Sequence, residues 1–427
     1  MNPHLRSVKE IERLDKYEVG GYHPLKVDDI ILGRYLIVDK LGHGSFSTVW
    51  LAKDQQAKEH RYVAIKVNMA KKSSTPVSAE AQVLRELSSS WFPLFTPGRD
   101  TIPKVFDEFK LEGPNGIHTC FVTSPSCVNL SDISYNHLFP IQAARAFAAK
   151  IAIALRFVHS RGFIHGDIHL ANILLPLREG YDSLSLAQYR EKHGFTRLHF
   201  LNDTPDEPVP VNCPKEVGMP LWCRRRPTEF TAEDAHRLLL CDFGEAFKPH
   251  SSMRLGRECR TPAPKRAPEA FFSPDLLMRY ASDIWGLGLV FWELVGKDPL
   301  FVTACAGNEI VAQQLDVLGN HFFPSHWARV WCRTGSDVGH PKPRPIRRPI
   351  GPRITRPPLQ VTWEALVEER ERKQEKLGAF GEDERRAFLA LIRGMLRFNP
   401  KERFTLEEVM GSEWMVRWAL PELAQPR

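Results

Sequence analysis

The chain has few cysteines and no pattern that would pair them in a structural framework. Its 427 residues contain eight cysteines, and no two of these have the C-x-x-C spacing of metal and redox sites. It also lacks an apolar segment near its start, because "MNPHLRSVKEIERLDK" is charged throughout. We therefore expect an intracellular chain, in the cytoplasm or the nucleus, with reduced and mostly buried cysteines.

Long apolar runs and a strong excess of charge are missing too. The most apolar stretch, "AFAAKIAIALRFV" at residues 146–158, is interrupted by Lys150 and Arg156 and predicts a core helix instead of a membrane span. Lys and Arg total 58 against 51 Asp and Glu, which gives a net charge of only +7. This mild excess does not require a nucleic acid. We expect neither nucleic acid nor membrane as a direct partner.

Hydrophobic patterning changes from strand-like to helical along the chain. Short β-branched and aromatic runs between turns indicate strands from about Ile30 to Val67 and at residues 117–123. Helical spacing then dominates, at residues 78–90, 141–160, 282–296 and 384–398. The sequence predicts an α+β fold with a small β-rich lobe and a larger helical lobe. The boundaries we assign are an extension at 1–34, a first lobe at 35–123, a second lobe at 124–420 and a tail at 421–427.

Two stretches of the predicted second lobe lack any periodicity. Residues 178–236 are rich in Pro, Asp and Arg, and residues 339–360, "GHPKPRPIRRPIGPRITRPPLQ", cannot form a helix because proline interrupts it repeatedly. We interpret both as surface insertions or linkers. A docking or regulatory role is the alternative.

A glycine-containing turn joins two of the predicted strands. Residues 41–50 read "LGHGSFSTVW", and Gly42 and Gly44 would let the backbone approach phosphate oxygens. A Gly-x-Gly turn is also compatible with a simple tight hairpin. Ser47 stands where the usual phosphate-binding loop has its third glycine. We expect Phe46, at the tip of the turn, to exclude water.

A lysine is embedded in the apolar strand "YVAIKVN". A buried lysine needs a partner, because an unpaired charge away from water is costly. Glu80 on the following predicted helix is the partner we favour, with Glu86 as the alternative. Lys66 and Glu80 together look like a pair that holds the α- and β-phosphates of a nucleotide.

Three polar residues supply the remaining phosphotransfer chemistry. In "GFIHGDIHLANILL", residues 162–175, Asp167 would orient a substrate hydroxyl and Asn172 would bind Mg²⁺. Asp242, in "CDFGEA", follows an apolar run and would be the second Mg²⁺ ligand. Mg²⁺ prefers few protein ligands together with phosphate oxygens and water, which suits this set.

These motifs are followed in order by "APE" at 267–269, "SDIWG" at 282–286 and Arg403 in "NPKERFTLEEV". Together they resemble the eukaryotic protein kinase family over residues 35–420. The segments "GGYHP" and "FSTVW" are similar to the serine/arginine-rich protein kinases within it. The resemblance implies a monomeric, two-lobed enzyme that uses ATP and Mg²⁺ to phosphorylate serine or threonine. Its protein substrates would include arginine/serine-rich splicing-type proteins.

The resemblance also implies an adenine pocket. Thr123 would be the gatekeeper, the Ser124 carbonyl and the Ser126 N–H would bond adenine, and Ala64 and Leu174 would cover the ring. The other residues implied in nucleotide binding lie in the glycine-rich loop and the lysine strand: Leu41, Gly42, His43, Gly44, Ser45, Phe46, Ser47, Val49 and Lys66.

Three residues depart from the usual kinase pattern. Gly166 replaces an arginine that in many kinases reads a loop phosphate, so we expect activity without phosphorylation. His169 replaces the catalytic-loop lysine, so we expect a slower enzyme in which the imidazole supplies one hydrogen-bond donor. Pro262 takes the place of a threonine, and Thr261 lies one residue further from "APE".

Two other functions remain open on sequence. "HGDIHLANIL" is also similar to the catalytic loop of aminoglycoside- and choline-type phosphotransferases, but "APE" and the apolar "SDIWGLG" favour a protein substrate. The second alternative is a pseudokinase that acts as a binding scaffold. The presence of Lys66, Asp167, Asn172 and Asp242 favours an active enzyme over it.

Overall fold

The computed structural model divides the chain into two compact units. Unit 1 comprises Met1–Ser89, Pro103–Val128 and Leu175–Arg224, and unit 2 comprises Ser90–Ile102, Asn129–Leu174 and Arg225–Arg427. The structure describes residues 11–57, 62–70, 78–89, 96–134, 137–177, 180–194, 196, 198–200, 211–221, 225–251, 253–302, 307–320, 322–331, 353–367, 372 and 376–424. Part of each predicted insertion, including residues 339–352, therefore lies outside the described residues.

The strands are concentrated in unit 1. Six of them form an antiparallel sheet in the order β1-β2-β3-β4-β6-β5, with bounds Ile30–Ile31, Tyr35–His43, Ser47–Asp54, Tyr62–Asn68, Gly116–Thr123 and Asp107–Gly113 in that order. The remaining strands are β7 Ser126–Asn129, β8 Ile173–Pro176, β9 Leu198–Phe200, β10 Glu216–Gly218 and β11 Leu239–Leu240. β9 and β10 pair in an antiparallel manner inside the predicted insertion.

Helices make up most of unit 2. The α-helices in chain order are α1 Ala79–Leu87, α2 Leu130–Ser134, α3 Ile141–Ser160, α4 Leu186–His193, α5 Glu269–Phe272, α6 Tyr280–Val295, α7 Gly307–Leu318, α8 Ser325–Trp331, α9 Leu359–Leu366, α10 Glu382–Met395, α11 Leu406–Met410 and α12 Leu420–Leu423. In the part of the chain that the structure describes, none of the helices combines the length and the apolar character that crossing a bilayer needs.

Helix α1 forms where the helical spacing predicted it. Its N-cap is Ser78, whose hydroxyl accepts a long hydrogen bond of 3.5 Å from the Ala81 N–H. Leu84 and Leu87 are buried on one face, whereas Glu86 is exposed. This face fixes the rotation of the helix, and Glu80 is buried together with it.

The predicted insertion at 178–236 is divided between the two units. From the sequence we expect it in the second lobe, but residues 178–224 belong to unit 1 and only residues 225–236 to unit 2. Tyr181 and Tyr189, which flank the start of α4, pack with Val38, Leu51 and Tyr62 of the sheet; we name these five residues the tyrosine cluster. Burial of aromatic side chains supplies a strong hydrophobic contribution. The first part of the insertion is therefore part of the core of unit 1.

The N-terminal extension is also built into unit 1. Glu12 forms an ion pair with Lys40 of β2, and both side chains are completely buried. The Tyr17 hydroxyl donates to the same carboxylate at 2.5 Å. Burial by itself raises the pKa of Glu12, but the charge and hydrogen bond of Lys40 lower it below its usual value. A buried pair of this kind specifies which segments meet, because either charge alone would be left uncompensated.

In unit 2, the buried helix α6 anchors the segment that carries "APE". The Arg403 guanidinium donates two hydrogen bonds, of 2.9 and 2.8 Å, to the Glu269 carboxylate. It also donates to the Ala281 carbonyl at 2.7 Å. The Arg403 side chain is fully buried, so the pair is shielded from water. The ion pair ties the start of α6 to α5.

Candidate active site

The predicted site residues fall into two groups: the nucleotide-binding residues lie in unit 1, except Leu174 in unit 2, and Asp167, His169, Asn172 and Asp242 lie in unit 2. In unit 1, the pairing of β4 with β3 and with β6 positions the predicted nucleotide-binding residues. Lys66 is paired with Val49 on one side, and Ala64 with Thr123 on the other. Because side chains alternate along a strand, Ala64 and Lys66 lie on the same face of the sheet. The ladder thus brings a small residue, a cation and the predicted gatekeeper to one surface.

Lys66 is held by Glu80. Its Nζ lies 2.7 Å from Glu80 Oε2, and the two side chains are 17% and 8% exposed. Glu86, the alternative partner, is exposed. An ammonium group fixed at the sheet surface in this way can bind phosphate as a point charge.

The glycine-rich turn lies between β2 and β3 and has room for a ligand. A Cβ added at Gly42 would meet nothing within 4 Å, and one at Gly44 would meet only the Ser47 hydroxyl, at 3.9 Å. The chain's own packing therefore does not require glycine here. Space left open beside backbone N–H groups fits the close approach of a polyphosphate. Phe46 is 56% exposed at the tip.

The predicted adenine-binding segment follows β6. Thr123, Ser124 and Ser126 are each half-buried. The Thr123 hydroxyl donates a long bond of 3.4 Å to the Ser124 carbonyl, which keeps a second lone pair for another donor. Leu41 is partly buried against the tyrosine cluster, to which the insertion contributes Tyr181 and Tyr189.

The group in unit 2 centres on the carboxylate of Asp167. Its Oδ2 lies 3.2 Å from the Asn172 amide nitrogen and 3.3 Å from His169 Nε2. Its Oδ1 is buried, and no donor reaches it among the residues that the structure describes. Burial alone raises the pKa of Asp167, but the hydrogen bond and charge of His169 bring it below its usual value. An ionised carboxylate with one oxygen unmet can accept a proton or hydrogen bond from a substrate hydroxyl.

His165 positions the backbone of Asp167, a role that the sequence analysis did not assign. The Asp167 N–H lies 3.3 Å from His165 Nδ1, and His165 Nε2 lies 3.1 Å from the Cys241 carbonyl. Burial lowers the pKa of His165 in spite of the nearby aspartates. A neutral ring with its proton on Nε2 satisfies both contacts.

Asp283 of α6 holds the same loop from the other side. Its carboxylate accepts hydrogen bonds from the His165 N–H at 2.8 Å and the Gly166 N–H at 2.9 Å, and His159 Nε2 lies 2.9 Å away. The sequence signal was available, because an aspartate in an otherwise apolar helix needs donors. The motif "SDIWG" was identified, but the partners of its aspartate could not be read from it.

Asn172 and Asp242 are brought together by backbone pairing. β11 pairs with β8, and the Cys241 N–H donates to the Asn172 carbonyl at 2.9 Å. Asp242 adopts a left-handed backbone (φ +61°), an uncommon conformation that suits a functional constraint. The Asn172 amide nitrogen donates to the Asp167 carbonyl at 2.8 Å. The side-chain amide oxygen of Asn172 therefore points away from that carbonyl. One carboxylate and one amide oxygen fit Mg²⁺ that completes its shell with phosphate and water.

No cluster of three or more His, Cys, Asp or Glu that could hold a metal ion occurs among the described residues. Such clusters are typical of sites that bind a metal through protein groups alone. Asn172 and Asp242 offer only two ligands, a number that would fit a metal ion whose remaining ligands come from a bound substrate and water.

Gly166 and the segment after "CDFG" form a second network in unit 2. Gly166 has φ +79°, and a Cβ there would lie 2.9 Å from the Glu245 carbonyl oxygen. The Glu245 carboxylate pairs with Arg254 at 2.7 Å and, more distantly, with Arg260 at 3.4 Å. The Thr261 hydroxyl donates to the Gly166 carbonyl at 2.8 Å. The segment is thus tied to the catalytic loop by groups of the chain itself.

Comparison with known proteins identifies the family. A model of the protein kinase domain matches residues 35–187 and 230–415, so the chain belongs to the protein kinase domain family. A solved kinase-domain structure aligns with a TM-score of 0.56 at 17% identity, covering 92% of this chain and 98% of that one. The predicted α+β protein kinase fold is confirmed.

Sequence relatives narrow the class. A serine/threonine protein kinase of Aspergillus fumigatus is 26% identical over 429 residues, covering 95% of this chain and 91% of that protein. Human SRSF protein kinase 3 is 35% identical over 177 residues, which are 40% of this chain and 31% of that protein. The kinase SRPK of Physarum polycephalum is 34% identical over 171 residues, 39% of each chain. The chain is an SRPK-like serine/threonine protein kinase, which implies ATP as co-substrate and proteins as substrates.

Proposed function

We propose that this kinase transfers the γ-phosphate of Mg·ATP to serine or threonine hydroxyls of arginine/serine-rich proteins, inside the cell and as a monomer. The observation that carries the phosphotransfer is the Asp167 carboxylate, with Oδ2 held by Asn172 and His169 and Oδ1 buried without a donor in the described part of the chain. The substrate class is supported by the likeness to SRSF protein kinase 3 and SRPK over part of the chain.

Each of the site residues has a distinct role in the proposed phosphotransfer. Lys66, fixed by Glu80, binds the phosphates, and the open space at the glycine-rich turn admits them. Asp167 accepts the hydrogen bond of the attacking hydroxyl and orients its oxygen. Asn172 and Asp242 would hold Mg²⁺, which would neutralise charge on the phosphates. His169 supplies a further donor beside Asp167.

One comparison of variants tests this division. Asp167→Asn should remove most of the phosphotransfer and leave ATP binding nearly intact, because this residue acts on the hydroxyl and not on the nucleotide. Lys66→Met and Asp242→Ala should weaken Mg·ATP binding and lower the rate together. Radiolabel transfer to a peptide and a thermal shift with Mg·ATP measure the two properties on the same preparations.

Three outcomes separate the alternatives. Equal loss of ATP binding and transfer in Asp167→Asn would refute the assigned role of this residue. Nucleotide binding without transfer in the parent protein would support a scaffold instead of an enzyme. A peptide library of arginine/serine repeats, acidic peptides and neutral peptides tests the substrate class, and a preference for either of the latter two would overturn it.

A further inference from the structure

Tyr22 is a buried tyrosine of the N-terminal extension that reaches the glycine-rich turn. Its side chain is 2% exposed, and its hydroxyl donates to the Gly44 carbonyl at 2.7 Å. None of the roles assigned above uses this residue, which precedes the first residue of the family match.

The backbone of Tyr22 is fixed on both sides. Its N–H donates to the Lys16 carbonyl at 2.8 Å, and its carbonyl accepts from the Asn115 amide at 2.6 Å. The preceding carbonyl, that of Gly21, accepts from the Ala70 N–H at 2.9 Å, just after β4. The hydroxyl of Tyr22 is therefore a fixed point relative to the sheet.

This fixed point determines the orientation of one peptide group in the turn. The peptide between Gly44 and Ser45 is planar and trans, so its N–H points opposite to its C=O. Because the C=O is bonded to Tyr22, the Ser45 N–H is directed away from the N-terminal extension. The Gly44 N–H, in turn, donates to the Ser47 carbonyl at 2.8 Å, which fixes the peptide on the other side. Gly44 and Ser45 are both exposed.

We infer that Tyr22 is a positioning residue for phosphate binding, which orients the Ser45 N–H towards the nucleotide phosphates through the Gly44 carbonyl. This inference rests on the proposed use of ATP and adds to it a residue outside the kinase domain match. It predicts that removing one hydroxyl group weakens binding of the phosphates and leaves binding of the nucleoside unchanged.

The experiment compares Tyr22→Phe with the parent protein in calorimetric binding of ATP, ADP and adenosine. Loss of one neutral hydrogen bond should weaken binding of ATP and ADP about three- to tenfold. The affinity for adenosine, which has no phosphates, should not change. In steady-state assays the KM for ATP should rise while the KM for the peptide stays constant. The aromatic ring is retained, so thermal unfolding should show a folded protein.

Tyr17→Phe is the matched control. Tyr17 lies in the same extension, its ring centroid is 5.6 Å from that of Tyr22, and its hydroxyl bonds Glu12 instead of the turn. Its ratio of ATP to adenosine affinity should equal that of the parent.

Three results would overturn the inference: unchanged ATP affinity in Tyr22→Phe, an equal loss of ATP and adenosine affinity, or the same change of the ratio in Tyr17→Phe. Failure of the parent itself to bind ATP would instead refute the proposed function.

Discussion

Replacing His169 tests how this kinase compensates for the missing catalytic-loop lysine. The ring lies beside the reactive carboxylate, with Nε2 3.3 Å from Asp167 Oδ2, and both side chains are largely shielded from water. His169→Ala removes a donor from this position. His169→Lys restores the charge that most serine/threonine kinases carry there.

The expected magnitude follows from the contact. A neutral hydrogen bond contributes up to about 1.5 kcal/mol, or about tenfold in rate. Two full charges about 4 Å apart in a medium of intermediate polarity interact by about 4 kcal/mol, or about a thousandfold. We therefore expect turnover of His169→Ala to fall about ten- to a thousandfold. His169→Lys should keep or raise turnover at about pH 8, where an ordinary histidine is neutral.

The pH dependence provides a second readout. His169 lowers the pKa of Asp167, which keeps this carboxylate ionised to lower pH. Without the imidazole, the effect of burial on the carboxyl group is no longer offset by His169, so the pKa of Asp167 should rise. The acidic limb of the pH–rate profile should therefore move to higher pH in His169→Ala. His137→Ala, a substitution of an exposed histidine in the same unit, should leave the profile unchanged.

The measurement is a pH–rate profile of the four proteins on one peptide, at saturating Mg·ATP. If the turnover of His169→Ala matched that of the parent at every pH, the histidine would have no role in catalysis. Mg²⁺ and Lys66 would then have to stabilise the transferred charge alone. A fall in turnover without a shift of the acidic limb would refute only the link between His169 and the ionisation of Asp167.

Two further predictions concern regulation and stability. Phosphatase-treated protein should phosphorylate its peptide at the untreated rate, because Glu245 already supplies the anion that pairs with Arg254; loss of activity that a loop phosphate restores would contradict this. Glu12→Gln should lower the free energy of unfolding by about 3–5 kcal/mol in urea titrations, because it leaves Lys40 buried without its counter-charge. Glu12→Gln combined with Lys40→Met should cost much less, and equal losses in the two proteins would show that the pair does not act as a unit.

The elements with strong periodicity could be predicted from the sequence. The spacing at 141–160 matches α3, and the apolar run at 282–296 corresponds to α6 at Tyr280–Val295. The lysine strand and the helix after it also form where predicted, which is why Glu80 could be chosen over Glu86. In these cases local pattern and tertiary contacts favour the same structure.

The insertion and the N-terminal extension could not be predicted, because their partners are far away in the chain. The Tyr189 hydroxyl donates to the Asp39 carboxylate at 3.0 Å across 150 positions, a separation that no local pattern can indicate. The pairing of Glu12 with Lys40 spans 28 positions and joins an irregular segment to a strand. Contacts of this kind have no local signature, since they depend on the folded arrangement of the sheet.

For the candidate site, the sequence allows roles to be predicted for individual residues, but it does not identify the groups that hold those residues in place. Motif spacing assigns roles to Asp167, Asn172 and Asp242 as predictions, but it gives none to His165 and Asp283, the two residues that hold the loop. Their function depends on backbone N–H groups, which every residue has and no sequence pattern marks.

Gly166 bears on how easily evolution could change the regulation of this kinase. An arginine at this position would have to adopt a left-handed backbone and place its Cβ 2.9 Å from a carbonyl oxygen. A single substitution would therefore impose strain before it could provide a useful cation. An arginine at position 166 would therefore also require the backbone around Glu245 to move. Because two separate parts of the chain would have to change together, the backbone at Gly166 resists the single substitution that would place a phosphate-reading arginine beside Asp167.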